Sequence, residues 1–160
     1  MSFVWTIAEQ HEGKLKAVSF ELLTRGRKLA DALQTKLASV VIGHGVSENS
    51  LNELIERGAD EVYTIQDPRL RYFVCESYAN ILSSTIKTYA PSIVLAAATS
   101  TGRTLMPYVA VKVHAGLPAD CTELGIEEGT GNPLQPRPAI GGNIMATIKT
   151  PNHRPQMATV

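Results

Sequence analysis

The sequence predicts an α/β fold, a doubly wound and mostly parallel sheet with a C-terminal antiparallel β extension, and three observations carry that prediction. Short apolar runs alternate with stretches of helical period from Phe3 to Gly116, as in sheets covered on both faces. One such run, Ser92 to Ala98, passes through a small polar turn, Thr99 to Gly102, into a helical pattern that Gly116 closes. After Gly116 the segments alternate and are punctuated by glycine and proline, as in hairpins. At 160 residues the chain can bury one sizeable core, so residues 1–160 are expected to form a single domain.

Each element follows from its own residues. Phe3 to Ala8 suits the first strand, and Glu9 to Gly13 is a polar turn after it. Ser19 is the expected cap of the first helix, with Val18 and Leu23 as a hydrophobic staple and Leu22, Gly26, Leu29, Ala30, Leu33 and Leu37 on the inner face. Ala38 to Ile42 is the second strand, and Ser50 with Glu53 reads as a capping box for a short helix that Gly58 ends. Glu61 to Ile65 alternates, so the third strand should be half exposed at an edge. A long helix then carries Leu70, Phe73, Val74, Ser77, Ile81, Leu82, Thr85 and Ile86 inward until Pro91 stops it. The fourth strand is Ser92 to Ala98. The helix after it is expected to be capped by Ser100 or Thr101, and Pro107 within it predicts a kink or a late start.

Four β-α units in a row imply a parallel sheet with helices on both faces and right-handed crossovers. Beyond them, Asp120 to Glu127 is a fifth strand, and Leu134 to Ile140 and Ile144 to Ile148 pair across the glycine turn Gly141, Gly142, Asn143. Met157 to Val160 is a last short strand, and a chain ending inside a strand suggests a sequence cut from something longer.

Composition removes several function classes. Fifteen Lys plus Arg balance fifteen Asp plus Glu, so there is no electrostatic footprint of a nucleic-acid binder. Cys75 and Cys121 lie far apart with no zinc spacing and read as reduced thiols. No presequence and no apolar run of membrane-spanning length is visible, and a prokaryotic cytoplasm is the expected home. His11, His44, His114 and His153 share no ligand spacing, and the adjacent Glu127 and Glu128 point to opposite faces of a strand. Trp5 and the five tyrosines are scattered singly and suggest no stacking platform for bases. No catalytic or metal residue stands out.

Two places do. The turn after the first strand holds Glu9 and Glu12 where nucleotide-binding domains use glycines and hydroxyls. Negative charge beside a phosphate costs energy, which argues against a nucleoside-triphosphate site at this edge. The Ser100, Thr101, Gly102, Arg103 turn sits where open α/β sheets bind ligands and partners. Arg103, Arg137 and Arg154 each lie beside glycine or proline, where a guanidinium reaches a carboxylate, a phosphate or a partner surface; the plainer reading of each is a surface ion pair.

Three segments carry a resemblance. The opening VWTIAEQHEGKLKAVSFELLTRGRKLA, the central LAAATSTGRTLMPYVAVKVHAGLPADCTEL and the tail RPAIGGNIMATIKTPNHRPQMATV, with its Gly141, Gly142, Asn143 hairpin and Arg154 to Met157 ending, resemble the N-terminal domain of the electron transfer flavoprotein alpha subunit. The resemblance covers the whole chain. It implies an adenine nucleotide alpha hydrolase-like fold and a heterodimer that carries electrons from acyl-CoA or other dehydrogenases to an acceptor. It also implies an FAD held by a C-terminal domain that this sequence lacks, and a beta subunit holding AMP or, in flavin-bifurcating members, a second FAD. The AEQHEGKLK opening resembles anaerobe, bifurcating members. No FAD-binding residue carries over, so the expected role is a scaffold for the beta subunit and the flavin domain. Ser100, Thr101, Gly102, Arg103, Arg137, Asn143 and Arg154 are the candidate partner-interface residues. The alternative is a nucleotide-binding enzyme or sensor of the same fold, such as an ATP-pyrophosphatase or a universal-stress-like module.

Overall fold

The computed structural model describes residues 3–117 and 155–160 in full, together with the backbone of Gly125–Ile126, Pro133–Pro138 and Met145–Lys149. In chain order the elements are β1 Phe3–Ile7, β2 Gln10–His11, β3 Lys14–Leu15, α1 Ala17–Ala32, β4 Lys36–Gly43, α2 Glu48–Glu56, β5 Glu61–Gln66, a 3-10 turn Pro68–Leu70, α3 Cys75–Tyr89, β6 Ile93–Ala96, α4 Ser100–Val113, β7 Gly125–Ile126, β8 Pro133–Pro138, β9 Met145–Lys149 and β10 Gln156–Thr159.

Five strands form one parallel sheet in the order β10-β6-β1-β4-β5. Alternate residues of each strand face opposite ways, and both ways are apolar. Val4, Leu37, Val41, Ile93, Leu95 and Ala158 face α1 and α2. Trp5, Ile7, Ala38, Val40, Val94 and Met157 face α3 and α4. The path through α1 and α2 runs outward to β5 on one face, and the return through α3 and α4 runs the other way on the opposite face. Reversing direction and face together keeps every crossover of one hand, as right-handed connection requires. The predicted edge position of β5 holds, and the final strand does more than end the chain: β10 is the fifth strand, parallel to β6. The extension is a separate antiparallel sheet in the order β7-β8-β9, with Leu134 opposite Lys149 and Pro138 opposite Met145. The predicted Gly141, Gly142, Asn143 turn lies outside the described residues.

Several boundaries differ from expectation, each for a local reason. Leu37 belongs to β4, because α1 ends sooner: Gln34 takes φ 54°, and the N–H groups of Gln34 and Thr35 bond back to Asp31 and Ala30. This closes the helix in the way glycine usually does, but with glutamine, so composition did not mark it. The cap of α2 is Ser47, whose Oγ accepts from the Ser50 N–H at 3.1 Å; Glu53 pairs with Arg57 instead of closing a capping box. In α3 the inner face is Tyr78, Ala79, Leu82, Ser83 and Ile86. Ser77 is exposed, Leu70 packs from the 3-10 turn, and Phe73 and Val74 precede the helix. As predicted, α3 stops before Pro91, through Ala90 at φ 50°. Pro107 lies inside α4, which begins at Ser100, so it does not delay the start.

Trp5 and two of the five tyrosines, single in sequence, meet in space. Trp5, Tyr63 and Tyr89 cluster with ring centroids 5.4, 6.2 and 5.0 Å apart. Ala38 lies on the strand between the first two and is small enough for rings to meet across it. Burial, then the hydrogen bond that Tyr63 donates to Glu61 at 2.9 Å, push the Tyr63 phenol up to about 12. The folded chain therefore favours neutral Tyr63. That contribution is complete below about pH 10, the ordinary phenol value, and is lost as pH rises through the folded value. Stability measured by urea unfolding should fall across that alkaline window in the wild type, and Tyr63→Phe should remove this component of the slope.

Helix-to-sheet distance is set by glycine at α4. A Cβ at Gly102 would collide with the carbonyl oxygen of Ala97, a backbone atom that cannot swing aside. Gly102→Ala should lower unfolding free energy by about 1–3 kcal/mol, read as a shift in urea midpoint at unchanged slope.

Candidate functional site

The carboxyl ends of β1, β4 and β6 meet the first turn of α4 around a cavity of about 130 Å3. It lies beside the boundary between β1 and β6, where the sheet's connections reverse direction. Open α/β sheets bind their ligands at that switch point. Ile7, Ile42, Ala96 and Leu105 give it apolar walls, and Glu9, Lys16 and Arg71 are its charged members.

Glu9 is held at three points. Its backbone N–H donates to Ser19 Oγ at 2.8 Å, and the Ser19 hydroxyl donates to its carbonyl at 2.9 Å. The same carbonyl accepts from the Lys16 N–H at 2.8 Å. Ser19 is thus no helix cap: α1 begins at Ala17 after Lys16, and Ser19, in the first turn, fastens the strand end to the helix. The side chain then crosses to the other face of the sheet. Glu9 Oε1 accepts from the Thr99 hydroxyl. Glu9 Oε2 accepts no hydrogen bond, and Lys16 Nζ stands 3.8 Å from it. The Glu9 side chain is only 7% exposed.

Thr99, not Ser100 or Thr101, caps α4. Its extended backbone places Oγ1 to accept from the Gly102 N–H at 3.1 Å while its own proton goes to Glu9. The candidate residues Ser100, Thr101, Gly102 and Arg103 therefore all lie in the first turn of the helix. Ser100 and Arg103 are exposed, Thr101 is half-buried and Gly102 is buried. Arg137 lies on β8, opposite Ala146. Asn143 and Arg154 lie outside the described residues.

The opposite wall is fastened by Gln10. Its Oε1 accepts from the Gly13 N–H at 2.9 Å, and its Nε2 donates to the Ile42 carbonyl and the Tyr78 hydroxyl at 3.3 Å each. Tyr78 in turn donates to the Leu70 carbonyl at 2.6 Å. Burial holds the Tyr78 phenol above its ordinary value, with the Gln10 donor opposing it. Among the described residues no group of three or more His, Cys, Asp or Glu could hold a metal ion, and no helix is long and apolar enough to cross a membrane. Cys75 is a free thiol that donates to the Thr104 carbonyl at 3.6 Å. His114 ends α4 in the left-handed conformation.

Sequence reasoning noticed Glu9 as an obstacle and missed it as a fixed part of the site. The available signal was a carboxylate directly after a fully apolar strand, where a charge must find partners or unfold the turn. The partners themselves are 10 and 90 residues away and leave no local pattern.

Fold and site together define a doubly wound α/β domain whose switch-point crevice is lined by a buried carboxylate of its own. Comparison with known proteins places it further. Residues 4–160 match the family model described as electron transfer flavoprotein domain, and the chain belongs to that family. It is 48% identical over 157 residues to the electron transfer flavoprotein subunit alpha of Thermoanaerobacterium thermosaccharolyticum, covering 98% of this chain and 47% of the relative. It is 44% identical to protein FixB of Clostridium saccharobutylicum, covering 98% and 46%. It is 43% identical to the LctC subunit of the lactate dehydrogenase (NAD+, ferredoxin) of Acetobacterium woodii, covering 93% and 35%. The chain spans about half or less of the length of these relatives.

The family's name implies a flavin, and the switch-point residues do not fit one. A dinucleotide's pyrophosphate would lie against the buried Glu9 carboxylate, whose charge opposes it.

The Ser19 bridge has a measurable consequence. Ser19→Ala leaves the buried Glu9 N–H without its partner, and stability should fall by about 1–3 kcal/mol in urea unfolding. Ser19→Thr, which keeps a hydroxyl, should recover part of the loss.

Proposed function

We propose that this chain is the N-terminal α/β domain of an electron transfer flavoprotein alpha subunit. In this reading it is a scaffold that docks the beta subunit and keeps a C-terminal FAD domain in reach, while electrons pass from a dehydrogenase to an acceptor. The observation that carries it is the near-complete match to alpha subunits about twice its length. Glu9 supports the same reading, since a buried carboxylate in the crevice opposes a nucleotide's phosphates. A nucleotide-binding enzyme or sensor of this fold would need glycines and hydroxyls where Glu9 and Glu12 stand.

Exposed apolar side chains supply a docking surface. Tyr108 and Val111 on the outer face of α4 are 58% and 75% exposed, and Tyr72 and Val74 before α3 are exposed as well. Arg103, in the first turn of the same helix, is exposed as well and adds a cation to α4. The relatives include subunits of a lactate dehydrogenase using NAD+ and ferredoxin and of an acryloyl-CoA reductase. Their names support an electron donor or acceptor among dehydrogenases and reductases, and the reading places this chain in a prokaryotic cytoplasm.

The test mixes the purified chain with a cognate beta subunit and, separately, with FAD. The chain should bind the beta subunit and gain no flavin absorbance from FAD alone. Arg103→Glu should weaken the heterodimer by about tenfold, the scale of one interfacial charge contact. Stoichiometric FAD uptake without affinity for the beta subunit would sink the scaffold reading, and unchanged binding by the Arg103 variant would remove that residue from the interface.

A further inference from the structure

We infer that Glu9 is an internal ligand: its carboxylate takes the seat of a phosphate at the switch point of the sheet, and it is the residue that excludes phosphate ligands from this domain. The inference rests on the reading of this chain as a scaffold without its own nucleotide, and deepens it by naming the device and the chemical class it excludes.

Three observations converge. The seat is anion-attracting. The first-turn N–H groups of a helix have no partners within the helix and carry its positive end, and α4 turns fourteen residues of aligned dipoles toward the cavity. Lys16 Nζ, 3.8 Å from Glu9 Oε2, adds a full charge from the residue that precedes α1. The seat is also held by a group that has not met its own needs. The Glu9 side chain is more than nine-tenths buried, lines the cavity, and leaves Oε2 without a hydrogen bond. A buried carboxylate so poorly paired persists because the surrounding positive potential holds it, and that same potential would hold a phosphate.

The third observation is that the seat does not depend on the side chain. The backbone at position 9 is fixed by Ser19 and by the Lys16 N–H, and the cap of α4 is made by Thr99 and the Gly102 N–H. Removing the carboxylate leaves these bonds in place and frees the Thr99 hydroxyl to donate to an oxyanion at the same position. While Glu9 remains, a phosphate would have to sit against a like charge that is tethered and therefore always present.

The experiment is isothermal titration at low ionic strength of the chain and its Glu9→Ala, Glu9→Gln and Glu9→Ala/Lys16→Met variants. The probes are inorganic phosphate and ribose 5-phosphate, and folding is checked by circular dichroism. Glu9→Ala should bind inorganic phosphate at least about tenfold more tightly than the wild type. Glu9→Gln, which keeps the seat filled, should stay at the wild-type level, and adding Lys16→Met should remove most of the gain.

Binding of phosphate, with or without its ester, supports the seat. Binding of ribose 5-phosphate alone overturns it, because recognition would then lie with the sugar. A folded Glu9→Ala chain that binds no better than wild type, or a wild type that binds equally well, also overturns it. Should Glu9→Ala not fold, Glu9→Ser carries the same comparison. Beta-subunit affinity, measured on the wild type, tests the scaffold reading separately: its loss would leave the phosphate result standing, and a negative phosphate result would leave the scaffold standing.

Discussion

Helices on opposite faces of a sheet share no direct contact, and here they are joined through one residue at the end of β1. Glu9 is bonded by its backbone to Ser19 of α1 and by its carboxylate to Thr99 at the start of α4. The backbone bonds satisfy polar groups that burial would otherwise leave without partners. The side-chain bond places a negative charge at the positive end of a helix, where it is stabilising. One residue thereby ties both α1 and α4 to the end of the central strand.

That arrangement depends on close approach. Gly102 lets α4 lie against the carbonyl of Ala97, and Gly26 lets α1 lie over Thr6 and Leu37. Larger residues would lift either helix, and the reach from Glu9 to Thr99 would lengthen with it. The apolar faces of β1, β4 and β6 supply the attraction that draws the helices in. Small residues at two positions decide how far that attraction carries them.

The fifth strand adds a constraint of its own. Between the end of α4 at Val113 and β10 at Gln156 the chain makes the separate β7-β8-β9 sheet, then returns to pair with β6. Gln156 to Thr159 are all buried, so the last residues complete the core. A contact between segments so distant in sequence carries a loop-closure cost that only the packed sheet repays.

The alternation of apolar runs with helical periods determined the architecture before any coordinates. Strands buried on both faces leave short continuous apolar runs, half-exposed strands a period of two and amphipathic helices a period of 3.6 residues, and β5 at an edge, the four β-α units and the β8-β9 pairing follow from them. Caps and ends were less legible. Ser19, Ser50 and Ser100 each have capping chemistry, but Ser47 and Thr99 do the work for α2 and α4, and Gln34 closes α1 in a conformation usually left to glycine. What only the tertiary structure decided is the meaning of Glu9. Its charge and its place after a strand were visible, but whether a carboxylate there faces water or lies buried on a helix cap depends on Thr99, 90 residues further along, and hydrogen-bond geometry between distant segments exists only once the sheet has brought them together.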